Sequence, residues 1–346
     1  MTDGPLRIVG MPGSPYSRKL RAVLRYRHVP HVWVHHGSPE ARGLPEPRVA
    51  LLPRLILRSP AGALEAAVDS TPLIRRLEDM YTGRTVIPPD PMMAFVDALL
   101  EDYADEWLTK AMFHYRWTFA PDVARAAAIL PRWSRTNQPD PQAVALGKQF
   151  SERQIGRLGV VGSNQTTAPV IEESYRRLLR LLDDHLTRSR FVMGGRPGAS
   201  DFALFGQLTQ LVAFDPTPSA IALTVAPRVV AWVDVMEDLS GLEPSDADWM
   251  SRENAPDTLR ALLAEVGRVH VPFLLANADA LRRRAVRVEC SIDGRRWVQQ
   301  PCPYQAKCLQ WLREQHAGLA PDDRRSVEAL LAGSGCERLF AEGAPS

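Results

Sequence analysis

The chain opens with short apolar runs that alternate with amphipathic stretches over its first 85 residues. Runs of strand length lie at residues 6–9, 32–34, 54–57 and 63–68. Residues 18–27 and 71–80 instead repeat apolar side chains at the spacing of one helix face. The pattern therefore predicts a small α/β domain in which β-α-β is followed by β-β-α.

This order is the layout of a thioredoxin-like domain, which we predict for residues 1–85. Pro88, Pro89 and Pro91 favour an extended linker. Beyond the linker the periodicity becomes helical, so we predict an all-α domain for residues 91–250 and an α+β, two-domain fold class. The predicted helices lie at residues 92–117, 120–133, 172–186, 200–213 and 227–239, with loops at 135–141 and 156–168.

Residues 251–346 are predicted to form a C-terminal extension that packs on the helical domain. Helical periodicity is found at residues 255–284, 305–315 and 321–331. Between these helices, two runs of strand length flank Asp293-Gly294, a dipeptide that is typical of a hairpin turn. The extension should therefore combine helices with one hairpin.

Composition and charge exclude several classes of function. The 346 residues include 42 Lys and Arg against 40 Asp and Glu, so a dedicated nucleic-acid binder is not expected. We find no apolar run long enough to span a membrane and no apolar leader. The four Cys residues form no CxxC pair, so we expect no metal site and a cytoplasmic location. The very low Lys content suggests a GC-rich bacterial source.

The first candidate for chemistry is Ser14-Pro15-Tyr16-Ser17, which follows a predicted strand and opens a helix. A helix start presents unpaired N–H groups and the positive end of the helix dipole, which stabilise a thiolate or a carboxylate. The Ser14 hydroxyl could point at such an anion. Ser14 could equally serve only as an N-cap, because Ser is a preferred residue at that position.

Two further segments offer comparable alternatives. Leu52-Pro53 precedes a predicted strand, where a cis proline would expose the backbone of Leu52 and a trans proline would only mark the strand edge. Asp69 and Ser70 lie ahead of a predicted helix. In one interpretation, Ser70 and the N–H groups of the first turn bind an anion while the Asp69 carboxylate binds an ammonium group. In the other, the two residues only cap the helix.

A fourth segment, GGRPGASD, places Asp201 where it can cap a buried helix. In this order the four segments resemble the glutathione transferase superfamily over roughly residues 6–240. The chain is most similar to serine-type members, and to long bacterial members with an added C-terminal segment. The resemblance implies a glutathione site on the thioredoxin-like domain and a hydrophobic co-substrate pocket between this domain and the helical domain.

By position, the resemblance assigns roles to individual residues. The residues that it implies in glutathione binding are Ser14, Tyr16, Ser17, Leu52, Pro53, Asp69 and Ser70. Ser14 is implied as the catalytic hydroxyl that supports the thiolate, although the choice between Ser14 and Ser17 stays open. The backbone of Leu52 is implied to pair with the cysteinyl part, and Asp69 and Ser70 to hold the γ-glutamyl end. SPYS also resembles the CPYC of glutaredoxins without its thiols, which disfavours thiol–disulfide exchange.

The co-substrate pocket is less clearly encoded. Residues 92–117 carry aromatic side chains at helical spacing, and in the superfamily this helix lines the cleft. We therefore predict Tyr103, Trp107 and His114 as pocket residues, although the same spacing is typical of a hydrophobic core. The expected partners are glutathione as co-substrate and a hydrophobic, electrophilic small molecule.

The predicted activity is that of a glutathione transferase, with isomerase and lyase variants left open. The alternative is a non-catalytic binding or interaction protein with the same fold, which the unusual extension favours. The superfamily commonly forms homodimers, and the extension could either obstruct or reinforce such a contact. We expect neither nucleic acid nor a membrane as a partner.

Overall fold

A computed structural model describes residues 4–59 and 61–341 of the chain. The strands of its N-terminal sheet are β1 (Leu6–Gly10), β2 (His31–His35), β3 (Arg54–Arg58) and β4 (Leu64–Val68). Their spatial order is β2-β1-β3-β4, with β2 parallel to β1 and with β3 antiparallel to both β1 and β4. The predicted β-α-β, β-β-α order is confirmed. Pro60, between the strands predicted at residues 54–57 and 63–68, lies outside the described residues.

Both faces of this sheet carry buried side chains, and neighbouring residues of a strand point to opposite faces. Ile8 and Leu55 belong to the main hydrophobic core, whereas Val9 and Ile56 form a smaller cluster on the other face. The helices of this domain are α1 (Pro15–Tyr26) and α2 (Ser70–Met80). Their buried leucines join the main core, so the sheet and both helices share one hydrophobic interior.

The helical region follows the proline-rich linker. Its helices are α3 (Pro91–Asp102), α4 (Thr109–Thr118), α5 (Ala120–Ser134), α6 (Asp140–Ile155), α7 (Ala168–His185), α8 (Ala199–Leu208), α9 (Pro216–Val225) and α10 (Pro227–Met236). The single helix predicted at residues 92–117 is interrupted by a π-helical turn at Tyr103–Leu108.

The sequence prediction misses α6 and α9. The buried face of α6 consists of Ala143, Gly147 and Ser151, whose small side chains leave almost no apolar periodicity to detect. Among the described residues, no single helix is long and apolar enough to cross a membrane. The pair α9 and α10, bent by 115°, meets that test of length and composition only when both are taken together.

Helix α8 positions the start of α1. Asp201 caps α8, because its Oδ2 accepts the Gly198 N–H at 2.9 Å and its Oδ1 accepts the Val192 N–H at 2.7 Å. Burial raises the pKa of Asp201 to about 7. A Cβ atom on Gly206 would lie 2.5 Å from the carbonyl oxygen of Pro15, so only glycine lets the two helices approach this closely.

The C-terminal extension shares the core of the helical region. Its elements are α11 (Asp257–Glu265), α12 (Val271–Arg282), β5 (Val288–Ile292), β6 (Arg295–Gln299), α13 (Pro303–Gly318) and α14 (Pro321–Leu331). The buried ring of Trp107 lies against Phe273 and Trp297 of the extension, with centroids 6.3 Å and 5.1 Å away. The division of the chain into units at 1–85, 91–250 and 251–346 stays a prediction.

Candidate functional site

Three segments that the sequence singles out meet at one edge of the N-terminal sheet. One row of paired residues crosses β1, β3 and β4 at Val9, Arg54 and Val68. Ser14 lies in the loop after β1, Leu52 lies just before β3, and Asp69 directly follows β4. Because the row joins the end of β1 to the start of β3 and the end of β4, the register brings all three residues to the same sheet edge.

A cavity of about 820 Å³ opens at this edge, and we call it the Ser14 cavity. Ser14 and Leu52 form one side of it, and helices α5 and α6 form the other. Its apolar wall consists of Leu130, Trp133, Leu146 and Phe150. Its basic rim consists of His36, Arg135 and Arg153. Of the described residues that line it, none is Asp or Glu. The cavity therefore suits an apolar ligand beside an anionic group.

Ser14 is the N-cap of α1 and faces this cavity. Its backbone is extended, and its Oγ accepts the Ser17 N–H at 3.3 Å. This bond uses an oxygen lone pair and leaves the hydroxyl proton for another acceptor. Pro15 starts the helix three residues earlier than predicted, because its fixed φ suits the first helical position. An anion in the cavity would thus meet a hydroxyl proton and the positive end of a helix dipole.

The side chains of Tyr16 and Ser17 both make hydrogen bonds within the protein. The Tyr16 hydroxyl donates to the carbonyl oxygen of Asp105 at 2.9 Å, and burial raises the pKa of Tyr16. Ser17 is fully buried, and its Oγ accepts the Met11 N–H at 3.3 Å. Both side chains are therefore engaged within the protein, and a role for Tyr16 and Ser17 in glutathione binding stays a prediction. Successive helix residues point about 100° apart, so the side chains that follow Ser14 need not share its direction.

The loop that carries Ser14 is held from the helical region by Arg116 of α4. The guanidinium Nη1 donates to the carbonyl oxygen of Gly13 at 3.1 Å, although 103 residues separate the two in sequence. Arg116 is paired with the fully buried Asp215, with Nε–Oδ1 and Nη2–Oδ2 distances of 2.9 Å. Gln210 donates to the carbonyl oxygen of Pro12 at 3.1 Å. The sequence does not predict these contacts, because an Arg within an aromatic helix gives no local signal of them.

The Leu52-Pro53 peptide bond is cis, which decides between the two alternatives that the sequence leaves open. Leu52 lines the Ser14 cavity, whereas Pro53 is buried directly before β3. The backbone of Leu52 thus lies at the cavity wall. Its pairing with the cysteinyl part of a tripeptide stays a prediction.

Asp69 has an unusual backbone and an unusual partner. Its φ of +77° lies in the left-handed region, which non-glycine residues rarely adopt. Its side chain makes no capping hydrogen bond to α2, and its Oδ2 instead accepts the Tyr304 hydroxyl of the extension at 2.6 Å. Ser70, the first residue of α2, is buried. The helix-cap alternative therefore does not account for the Asp69 carboxylate.

A buried ion-pair network fixes the first turn of α2 to the helical region. Lys19 Nζ donates to Glu101 Oε1 at 2.7 Å, to Asp105 Oδ2 at 2.5 Å and to Thr71 Oγ1 at 3.1 Å. Burial alone would lower the pKa of Lys19, but the two carboxylates outweigh it and raise that pKa. Because Thr71 follows Ser70, the network also holds the turn that carries Asp69.

Tyr103, Trp107 and His114 are not among the described residues that line the Ser14 cavity, and their role in a co-substrate pocket stays a prediction. Each is only about 2% exposed. Trp107 Nε1 donates to Ser174 Oγ at 3.1 Å, and His114 Nδ1 lies 2.8 Å from Ser163 Oγ. Burial lowers the pKa of His114. This aromatic stripe faces the core, and the cavity wall comes instead from α5 and from α6, which the sequence does not reveal.

Two family models match the chain in the order of its two regions. Residues 8–85 match the model described as glutathione S-transferase, N-terminal domain. Residues 141–235 match the model described as glutathione S-transferase, C-terminal domain. Together they cover half of the chain. A comparison with curated proteins finds no match.

Solved structures of glutathione transferases are also similar to the chain at low identity. One from Methylobacterium radiotolerans, in complex with glutathione sulfonate, is 20% identical, with a TM-score of 0.41 over 71% of this chain and 94% of that one. One from Pseudomonas putida, with glutathione disulfide bound, is 13% identical, with a TM-score of 0.42 over 68% and 91%. A tau-class enzyme from mango is 16% identical, with a TM-score of 0.42 over 72% and 96%.

Proposed function

Since the chain belongs to the glutathione transferase superfamily, we propose that it is an enzyme that activates the glutathione thiol for attack on an electrophilic small molecule. The observation that carries this proposal is the position of Ser14. Its hydroxyl lies at a helix start, beside a large cavity and at the sheet edge shared with Leu52 and Asp69.

Ser14 is the proposed catalytic residue. A free thiol of this kind has a pKa of roughly 8.5, so little of it is ionised at neutral pH. The Ser14 hydroxyl donates a hydrogen bond to the thiolate, and the dipole of α1 adds further stabilisation. Both interactions favour the charged form and lower the thiol pKa, and the thiol proton passes to solvent. The protein itself forms no covalent bond.

The reaction then forms one bond between sulfur and an electrophilic carbon. In a substitution, the leaving group departs with the electron pair of the bond that breaks. In an addition, the electron pair moves onto the acceptor, which takes a proton from water. Most of the rate gain comes from holding the thiolate and the electrophile together in the cavity.

The remaining parts of glutathione are assigned to the same sheet edge. The backbone of Leu52 pairs with the cysteinyl part. The Asp69 carboxylate accepts from the γ-glutamyl ammonium group, while the start of α2 at Ser70 donates to the γ-glutamyl carboxylate. This assignment is supported by the fact that the Asp69 side chain is not used to cap its own helix.

The hydrophobic electrophile is assigned to the α5 and α6 side of the cavity. Leu130, Trp133 and Phe150 provide an apolar surface there. Small-molecule sites typically combine such a surface with a few polar groups that fix the orientation of the ligand. The cavity volume of about 820 Å³ is within the range typical of such sites.

The proposal is tested by replacing Ser14 with Ala and measuring turnover with a panel of electrophiles. We expect kcat/KM to fall by about 10²–10³-fold, as is typical when one preorganised hydrogen-bond donor is lost. The glutathione Kd, measured by calorimetry, should change by less than about threefold. Ser17→Ala removes the same group at a buried neighbouring position and should leave turnover within about tenfold of wild type.

Two outcomes contradict the proposal. If Ser14→Ala weakens affinity and turnover equally, Ser14 supports binding and not the thiolate. If the wild-type protein binds glutathione but turns over none of the electrophiles, the non-catalytic binding protein is favoured. Thermal unfolding of both variants controls for the lost N-cap, which costs about 1 kcal/mol.

A further inference from the structure

The C-terminal extension reaches the proposed glutathione site through one side chain. Tyr304, in the first turn of α13, donates its hydroxyl to Asp69 Oδ2 at 2.6 Å, across 235 residues of sequence. From this contact we infer that Tyr304 is a positioning residue of the glutathione site, which orients the Asp69 carboxylate toward the γ-glutamyl ammonium group. This inference rests on the function proposed above.

The extension holds Tyr304 firmly in place. Asn277 of α12 makes two hydrogen bonds to the backbone of Cys302. Its Nδ2 donates to the carbonyl oxygen at 2.9 Å, and its Oδ1 accepts the N–H at 2.8 Å. Pro303 begins α13 directly afterwards. Gln305 donates to the carbonyl oxygen of Glu106 at 3.3 Å, which ties the same turn to the helical region. The hydroxyl is thus presented from a start of α13 that is anchored on both sides.

Asp69 needs an external partner to keep one orientation. Its backbone has φ +77°, and its side chain makes no capping bond to α2. A carboxylate has about four lone-pair positions on two oxygens, so Tyr304 can hold Oδ2 while Oδ1 faces an ammonium group. Partial burial raises the pKa of Tyr304, which keeps its hydroxyl protonated as a donor. The two roles of the carboxylate are therefore compatible.

Tyr304 is also exposed enough to lie beside a ligand. Its side chain is 39% exposed, whereas the aromatic residues that join the extension to the core are buried. Its ring lies edge-on to Trp311, with centroids 6.3 Å apart. The hydroxyl contact with Asp69 and the ring contact with Trp311 can therefore be removed separately by mutation.

The test compares Tyr304→Phe with Trp311→Phe in the full-length protein, with glutathione as the probe. Loss of a hydrogen bond to a charged group should weaken glutathione binding by about tenfold in Kd and in KM. Because the hydroxyl acts away from the sulfur, kcat and the KM for the electrophile should stay within about twofold. Trp311→Phe keeps the hydroxyl and should bind glutathione like the wild type.

The decisive comparison uses Asp69→Asn as a second background. If Tyr304 acts through the Asp69 carboxylate, Tyr304→Phe should change the Kd by less than about twofold in that background. An unchanged or tighter Kd for Tyr304→Phe alone overturns the inference, as does a tenfold loss that persists with Asp69→Asn. A wild-type protein that binds glutathione without turnover contradicts only the proposed enzyme. One that does not bind glutathione overturns both proposals.

Discussion

The Ser14 cavity differs in charge from a second cavity. This second cavity lies between α2, α3, the π-helical turn that follows α3, and α13. This extension cavity has a volume of about 430 Å³. Its acidic lining residues are Asp79, Glu101, Asp102, Asp105, Glu106 and Glu314. Its basic lining residues are Arg75 and Arg76. The Ser14 cavity has a basic rim and, among the described residues that line it, no carboxylate. The two cavities therefore favour ligands of opposite charge.

The contrast separates a proposed chemical site from a structural junction. A thiolate and the carboxylates of a tripeptide are favoured by a helix start and a basic rim, and are repelled by an acidic wall. In the extension cavity, Glu101 and Asp105 are paired with Lys19, and Asp102 lies 2.7 Å from His270 Nε2 of the extension. These acidic groups hold parts of the chain together, so we assign the thiolate of glutathione to the Ser14 cavity.

The largest expected effect comes from releasing the loop that carries Ser14. Arg116→Met leaves Asp215 buried without its ion pair and frees the carbonyl oxygen of Gly13. Breaking a buried ion pair from one side typically costs about 3–5 kcal/mol, so we expect the free energy of unfolding to fall by that amount. Denaturant unfolding measures this loss, and glutathione calorimetry should show weaker binding.

The double variant Arg116→Met, Asp215→Leu is the matched control. Replacing both partners removes the uncompensated charge, so at least half of the lost stability should return. Glutathione binding should stay weak in the double variant, because Gly13 still lacks its donor. If the single variant loses less than about 1 kcal/mol, Arg116 does not anchor the Ser14 cavity.

The sheet edge is predictable from sequence because each of its parts is local. Ser14 before a helix, Leu52-Pro53 before a strand and Asp69 before another helix can each be recognised within a few residues. The register of four short apolar strands then brings them together. The predicted element order and the resemblance both depend on these local signals, and both are confirmed.

The rest of the site depends on contacts that no local pattern encodes. Arg116 and Asp215 are 99 residues apart, and Tyr304 and Asp69 are 235 residues apart. Helix α6 forms one wall of the Ser14 cavity, but its buried face consists of small residues such as Gly147 and has no apolar stripe. The aromatic residues of 92–117 do have helical spacing, but they face the core.

An intermediate effect is expected from Glu106, in the extension cavity. Burial, with Asp102 and Asp105 nearby, raises the pKa of Glu106 from 4.5 to about 8. A carboxyl with a raised folded pKa binds its proton more tightly in the folded state, so its contribution to stability falls as the pH rises from about 4 to 8. We expect Glu106→Gln to match the wild type at pH 5 and to gain on the order of 1–2 kcal/mol at pH 8.

Thermal unfolding between pH 5 and pH 8 measures this difference. Glu314→Gln, at an exposed position of the same cavity, is the matched control and should follow the wild-type curve at each pH. If Glu106→Gln lowers the Tm at pH 8, ionised Glu106 stabilises the extension, and the acidic wall is then a favourable feature of that cavity.

The smallest expected effect tests the charge of the Ser14 cavity directly. Arg153 is exposed at its rim, with Cζ 5.0 Å from the centre of the Phe150 ring. Arg153→Glu puts a carboxylate on the rim of the cavity that would hold the thiolate. Exposed charges interact weakly, so we expect kcat/KM to fall about three- to fivefold and to recover in high salt. Arg157→Glu makes the same charge change at an exposed position outside the lining, so an equal loss there would mean that net charge, and not the rim of this cavity, determines the rate.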